Sequence, residues 1–410
     1  METNGGPAPV RRAFEALLAE QQRMFSRLLS VPRVVDTALR TRVGTTPRQV
    51  VLEEGTHTLV HYERQTPATQ AEPVLLCYAL VNRPYILDLQ PDKSVVQRYL
   101  DRGFDVYLID WGVPSDADRG LTIEHYVRGF LARSVDFVRR KHEQAKVHLT
   151  GYCMGGTFSA LHAALDPDSV KTLTLLAAPI DFAGRDSLLN LWTENRCFDV
   201  DAFIAAYGNC PAWFLQTCFL YTNPIRNFVD KAIAFYEQMD DPRSVASHFA
   251  LERWLNDNIP VAGETFREFV KNLYQRNELV RGEFRVGEQR IDLGRITCPL
   301  LMLTAKSDHL VPPASTEGIR PHVGSRDVKA MGINAGHVGL VVGGRAHATF
   351  WPEATQWVAD RSTPASAARP APKITIVKRG EDFEPRWWPG DRWVQRSDEP
   401  RRRGSWQSSP

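Results

Sequence analysis

The chain has no apolar run approaching the ~18 residues that a membrane-spanning helix needs, and its first residues lack the apolar core of a signal peptide. Both absences lead to the expectation of a cytoplasmic protein without a transmembrane segment. Cysteine is sparse, with six residues at 77, 153, 197, 210, 218 and 298. None falls in a C-x-x-C pair or at zinc-ligand spacing, which argues against a dithiol redox centre or a zinc site and for free thiols in a reducing compartment. Charge is nearly balanced at +2, which argues against a general nucleic-acid binder. No resident cofactor or metal is expected. What is present, 410 residues of which 43% are hydrophobic and 24% charged, suffices for one large core.

The most informative stretch runs from His148 to Thr157, where a short apolar strand enters a glycine-flanked cysteine and then a helix. Gly151 and Gly155 stand on either side of Cys153. This is the G-x-S-x-G spacing of a nucleophile elbow with cysteine in place of serine, and small residues are needed there because strand turns sharply into helix. A cysteine so placed meets the positive end of a helix, and the N–H of Met154 can face a developing oxyanion. The alternative is a buried core cysteine beside glycines that serve only a packing turn. The partners of such a nucleophile follow in the order acid, then histidine. Asp308 comes after the apolar run 299–304, and His337 lies in a glycine-flanked loop after the short strand 328–331. Catalytic groups of open α/β sheets sit at the carboxyl ends of strands.

The expected fold class is α/β: an α/β-hydrolase fold with a mostly parallel sheet flanked by helices and a mainly helical cap insertion. Residues 1–45 form an amphipathic helical segment of one or two helices, whose arginines (Arg11, Arg12, Arg23, Arg27, Arg33) face either an anionic partner or simply solvent. Residues 46–178 form the first part of the core. It opens with a hairpin (49–53 and 58–62 around Glu54-Gly55), followed by strands at 74–80, 104–110, 147–150 and 172–177 and helices at 94–100, 124–141 and 157–165. That alternation indicates a parallel sheet with right-handed crossovers. Residues 179–290 form the cap, dense in aromatics such as Trp192, Tyr207, Trp213 and Trp254. These pack a core, line an acyl tunnel or form a dimer face. Residues 291–362 complete the core, ending in a helix at 346–360, and 363–410 form a linker and an Arg/Trp-rich tail. From Pro364 onward, ten Lys or Arg face six Asp or Glu. Because the candidate triad is complete by His337, residues beyond Ser362 are expected to be dispensable for chemistry and either to serve association with granules or a partner or to pack back on the catalytic domain through Trp387 and Trp388.

Four blocks carry a family resemblance: YALVNRPYILDL at 78–89, VYLIDWG at 106–112, GYCMGG at 151–156, and DHLVPP at 308–313 together with GHVG at 336–339. In this order the chain, over roughly 11–360, resembles the polyhydroxyalkanoate (PHA) synthases, particularly the catalytic subunit of the class III two-subunit enzymes. The segment Gly263 to Phe269 resembles the family's cap. The resemblance implies polymerisation of short-chain (R)-3-hydroxyacyl-CoA into polyester, with CoA released through a thioester on Cys153. His337 is then the general base, and Asp308 either orients His337 or activates the incoming hydroxyl. Fold position and resemblance together make Val81 the second oxyanion donor, after Met154. The resemblance further implies a homodimer, a helical E-type synthase subunit as partner and association with PHA granules. His309 either touches the site or is structural, and His347 belongs to the last helix. Two other readings share these residues: a cysteine hydrolase of the same fold, and a catalytically silent granule-associated protein. The tail departs from the compact class III subunit.

Overall fold

The computed structural model describes residues 8–184 and 187–365. The expectations for the arginine-rich tail, including its tryptophans, therefore lie outside the described residues. Eight strands form the main sheet: β1 (Arg48–Glu54), β2 (His57–Tyr62), β3 (Val74–Cys77), β4 (Val106–Asp110), β5 (Val147–Tyr152), β6 (Val170–Leu176), β7 (Leu300–Ala305) and β8 (Val328–Ile333). Their order is β1-β2-β4-β3-β5-β6-β7-β8. The β1–β2 hairpin is antiparallel and joins β4 antiparallel, whereas β4 onward is parallel throughout. Runs such as Leu300–Ala305 are buried at every position, as a strand covered by helices on both faces requires.

The register brings the carboxyl ends of the central strands together. Cys77 pairs with Gly151, Tyr152 with Leu176, Leu176 with Leu303, and Ala305 with Ile333. The loops that leave these residues share one rim of the sheet, and the candidate site lies there. The apolar run 74–80 leaves the ladder at Cys77, three residues earlier than its composition suggests. The physical reason is Trp111, whose indole N–H takes the Tyr78 carbonyl at 2.8 Å and turns it out of the sheet.

Helices α1 (Ala8–Arg40), α2 (Val95–Asp101), α3 (Ala132–His142) and α4 (Met154–Leu165) precede the insertion. Within it come α5 (Leu188–Trp192), α6 (Val200–Tyr207), α7 (Ala212–Tyr221), α8 (Lys231–Gln238), α9 (Pro242–Leu255) and α10 (Gly263–Glu268). After it come α11 (Pro313–Glu317), α12 (Gly339–Val342) and α13 (Trp351–Ala359). α1 is a single helix that runs through Pro32. Of its arginines, Arg27 packs over the Tyr236 ring of α8, 4.2 Å from its centroid, and Arg23 pairs with Glu20 on its own helix. Residues 363–365 continue the folded chain: Gln70 bridges Pro364, the Ala71 N–H donates to the Thr363 carbonyl and the Ala365 N–H donates to the Thr69 carbonyl. No helix among the described residues is long and apolar enough to cross a membrane.

Candidate active site

Cys153 caps α4 with φ 54° and ψ −129°, a conformation that costs a non-glycine residue about 1–3 kcal/mol and persists only when its surroundings impose it. The imposing groups are visible. The Cys153 N–H donates to Leu176 O at 2.9 Å. A Cβ on Gly155 would collide with the carbonyl oxygens of Cys77 and Tyr78, and one on Gly156 with the Ala178 methyl. Gly155 and Gly156 are thus required by the close approach of the segments that leave the neighbouring strands. They begin α4 at Met154, three residues before the apolar periodicity of the helix becomes readable. Met154, as the first helical residue, carries one of the N–H groups that a helix leaves without an internal partner.

Asp308 follows β7 and His337 follows β8. The carboxylate Oδ2 of Asp308 lies 2.7 Å from His337 Nδ1, which must be the donor because an ionised carboxylate only accepts. Its Oδ1 takes the N–H groups of Leu310 and Val311, each at 2.9 Å. The DHLV segment therefore wraps its own carboxylate and aims one oxygen at the imidazole. His337 in turn contacts the Cys153 side chain. Burial works against the imidazolium, but the Asp308 carboxylate and the Cys153 sulfur outweigh it and hold the His337 pKa up, to about 10.

Three further groups at the site were not singled out by the sequence. Tyr152 stacks on the His337 ring with centroids 5.0 Å apart and donates its hydroxyl to the His337 carbonyl at 3.3 Å. Its signal was its place as the variable residue of the elbow. Tyr274, from the cap, is close enough for its phenol to feel both Cys153 and Asp308, and burial, then those neighbours, drive its pKa upward. Arg226, also from the cap, lays its guanidinium against Gly336. His309 is exposed. His347 is buried, with Nε2 2.6 Å from Val341 O and Nδ1 accepting from Arg98, and burial pushes its pKa down to about 4. Val81, half-buried at the loop after β3, sits on the same rim as Met154.

With strand-end nucleophile, imidazole and carboxylate in sequence, the arrangement can carry a proton from a thiol and stabilise the resulting charge. A family model for the α/β-hydrolase fold matches residues 72–342, and one for the N-terminus of poly-beta-hydroxybutyrate polymerase (PhaC) matches residues 26–100. The poly(3-hydroxyalkanoate) polymerase subunit PhaC of Haloferax mediterranei is 41% identical over 327 residues, spanning 80% of this chain and 66% of that protein. The corresponding subunit of Allochromatium vinosum is 40% identical over 320 residues, spanning 78% of this chain and 90% of that one. That of Haloarcula marismortui is 37% identical, spanning 85% and 77%. The chain thus belongs to the poly(3-hydroxyalkanoate) polymerase subunit PhaC family, built on the α/β-hydrolase fold.

Proposed function

We propose that this chain is a polymerase that joins short-chain (R)-3-hydroxyacyl units, supplied as CoA thioesters, into polyester. The observation that carries the reading is the elbow cysteine in contact with a carboxylate-held histidine, within a chain of this family. The Cys153 sulfur attacks the thioester carbonyl carbon, and the carbonyl electrons move to oxygen, where the Met154 and Val81 N–H groups receive them. Collapse breaks the carbon–sulfur bond to CoA, and the departing thiol carries the proton that His337 took from Cys153. The enzyme-bound thioester is close in energy to the one consumed, so the step runs without the barrier that a serine ester would raise on the return. The hydroxyl of another CoA-linked unit then attacks the Cys153-bound carbonyl, giving its proton to His337 as the ester bond forms and the Cys153 sulfur leaves as a thiolate; the lengthened CoA thioester reacylates Cys153 by the first step. Both Asp308 oxygens are engaged and its side chain is fully buried. That supports an orienting role toward His337 over direct activation of the hydroxyl.

The same reading places the chain in the cytoplasm at granule surfaces, as a homodimer working with a helical second subunit. Its support is apolar surface left exposed among the described residues: Leu28 and Leu29 of α1 are 67% and 65% exposed, and Trp213, Tyr221 and Ile225 of the cap are more than half exposed. Thiol release from (R)-3-hydroxybutyryl-CoA, followed together with the product, tests the function. Polymer with released CoA is expected. Free hydroxy acid without polymer identifies a hydrolase and refutes the polymerase.

A further inference from the structure

The segment 78–83, which carries Val81, crosses the elbow between two sets of anchors. On the core side, the Trp111 indole fixes the Tyr78 carbonyl at 2.8 Å, and the lack of a side chain at Gly155 lets that carbonyl rest on α4. On the other side, the side-chain hydrogen bonds to Arg83 and Tyr85 come from the cap, beyond which Ile86 and Leu87 are buried in the core. The Trp254 indole of α9 donates to Arg83 O at 2.8 Å and also reaches the Tyr78 hydroxyl. Asp257, just past α9, accepts from the Tyr85 hydroxyl at 3.1 Å and from Arg83 Nε at 3.5 Å. Between the anchors, Asn82 holds φ 61° at 6% exposure, with its Oδ1 buried and unpartnered. A non-glycine residue in the left-handed region with an unpaired buried oxygen does not keep that geometry by itself. Its neighbours impose it, and the peptide they orient is the one adjoining the Val81 N–H.

Resting on the acyl-transfer reading above, we propose that Trp254 and Asp257 are positioning residues, through which the cap sets the direction of the Val81 N–H and so completes the oxyanion site. The elbow alone supplies one donor, Met154 at the start of α4. The second is aimed only while the cap grips Arg83 and Tyr85. Loosening the grip therefore weakens stabilisation of the tetrahedral oxyanion and leaves the nucleophile and its histidine as they are. Arg83 acts here by its carbonyl and guanidinium as the handle of the loop.

The test compares two reactions of the same sulfur in the full chain. Acylation of Cys153 by p-nitrophenyl acetate passes through an oxyanion, whereas alkylation by iodoacetamide does not. Removing an oxyanion donor outright typically costs 10²–10³ in rate, so Asp257→Ala and Trp254→Phe, which only release the loop, are expected to slow acylation about tenfold to hundredfold. Alkylation should proceed at the wild-type rate. With (R)-3-hydroxybutyryl-CoA, kcat should fall by a similar factor while KM stays within about threefold, since the lost interaction is made in the transition state. Asp257→Asn keeps an acceptor for the Tyr85 hydroxyl and should recover most of the acylation rate. Asp257 is 43% exposed, so its replacement leaves folding intact even if Trp254→Phe does not. Unchanged acylation in Asp257→Ala, or acylation and alkylation falling by the same factor, overturns the proposal. A wild-type chain that is acylated by the ester yet makes no polymer refutes the polymerase reading alone, and the ratio of the two rates still decides the clamp.

Discussion

Burial ordinarily silences a cysteine. Cys77 and Cys298 show it, their thiols pushed up by burial to about 12 and about 11 respectively. Cys153 differs in standing half-exposed at a helix start with His337 against its sulfur. Cys153→Ala is expected to abolish acyl transfer with a thermal midpoint within about 2 °C of wild type, since a small exposed-side truncation costs little. Cys153→Ser should keep the fold and lose most of the rate, because an alkoxide forms far less readily than a thiolate. His337 offers a pH test. Its folded pKa is raised from 6.5 to about 10, so its contribution to stability is fully present below pH 6.5 and drains away as pH rises through 10. Asp308→Asn removes the largest raising influence. The gap in thermal midpoint between wild type and Asp308→Asn should be widest below pH 6.5 and narrow toward pH 10. A gap independent of pH refutes that linkage. Cys153, Asp308 and His337 were legible because each sits in a short glycine- or proline-marked motif at a strand end. Trp254 and Asp257 were not, since Trp254 reaches Arg83 from 171 residues away and no local pattern announces such a partner.

Strands and helices were legible wherever apolar runs had a clear period, and boundaries shifted where a tertiary contact intervened. β3 ends early at the Trp111 contact, and α4 starts early because the elbow glycines belong to its first turn. The end of the core was hidden for a different reason. Glu72, in the loop before β3, accepts from Lys171 Nζ at 2.7 Å, from the Ser362 hydroxyl, and from both the N–H and the hydroxyl of Thr363. Burial alone would raise this carboxyl, but Lys171 and the Ser362–Thr363 donors hold its pKa down to about 2. Its stabilisation is therefore present above the ordinary value of 4.5 and lost as pH falls through about 2. Glu72→Gln should cost about 2 kcal/mol near neutrality, the size of a charged hydrogen bond, and chemical denaturation at pH 7 and pH 3 should show the difference shrinking. Composition marks a linker from Thr363, yet these contacts assign Thr363 to Ala365 to the folded core. A chain stopped after Ser362 should melt lower than one stopped after Ala365, while both release CoA. Equal melting would mean that the Glu72 staple contributes nothing.

For the whole molecule, the apolar spacing of α1 was readable in the sequence, but which side would remain uncovered was not. The structure leaves Phe14, Met24, Phe25 and Leu28 at 60% exposure or more, a surface too apolar for a helix that meets only water. Sedimentation of the purified chain is expected to show a dimer, and activity is expected to rise when a helical second subunit is added. An isolated monomer with full activity refutes that assembly. The chemistry at the centre of the molecule is open to a more direct measurement, mass spectrometry of the Cys153-bearing peptide after brief exposure to (R)-3-hydroxybutyryl-CoA. Thioester-linked adducts of one and more hydroxybutyryl units on Cys153, absent from Cys153→Ala and growing as polymer appears, are the expected result. Polymer made without any adduct on Cys153, or by Cys153→Ala, would contradict it.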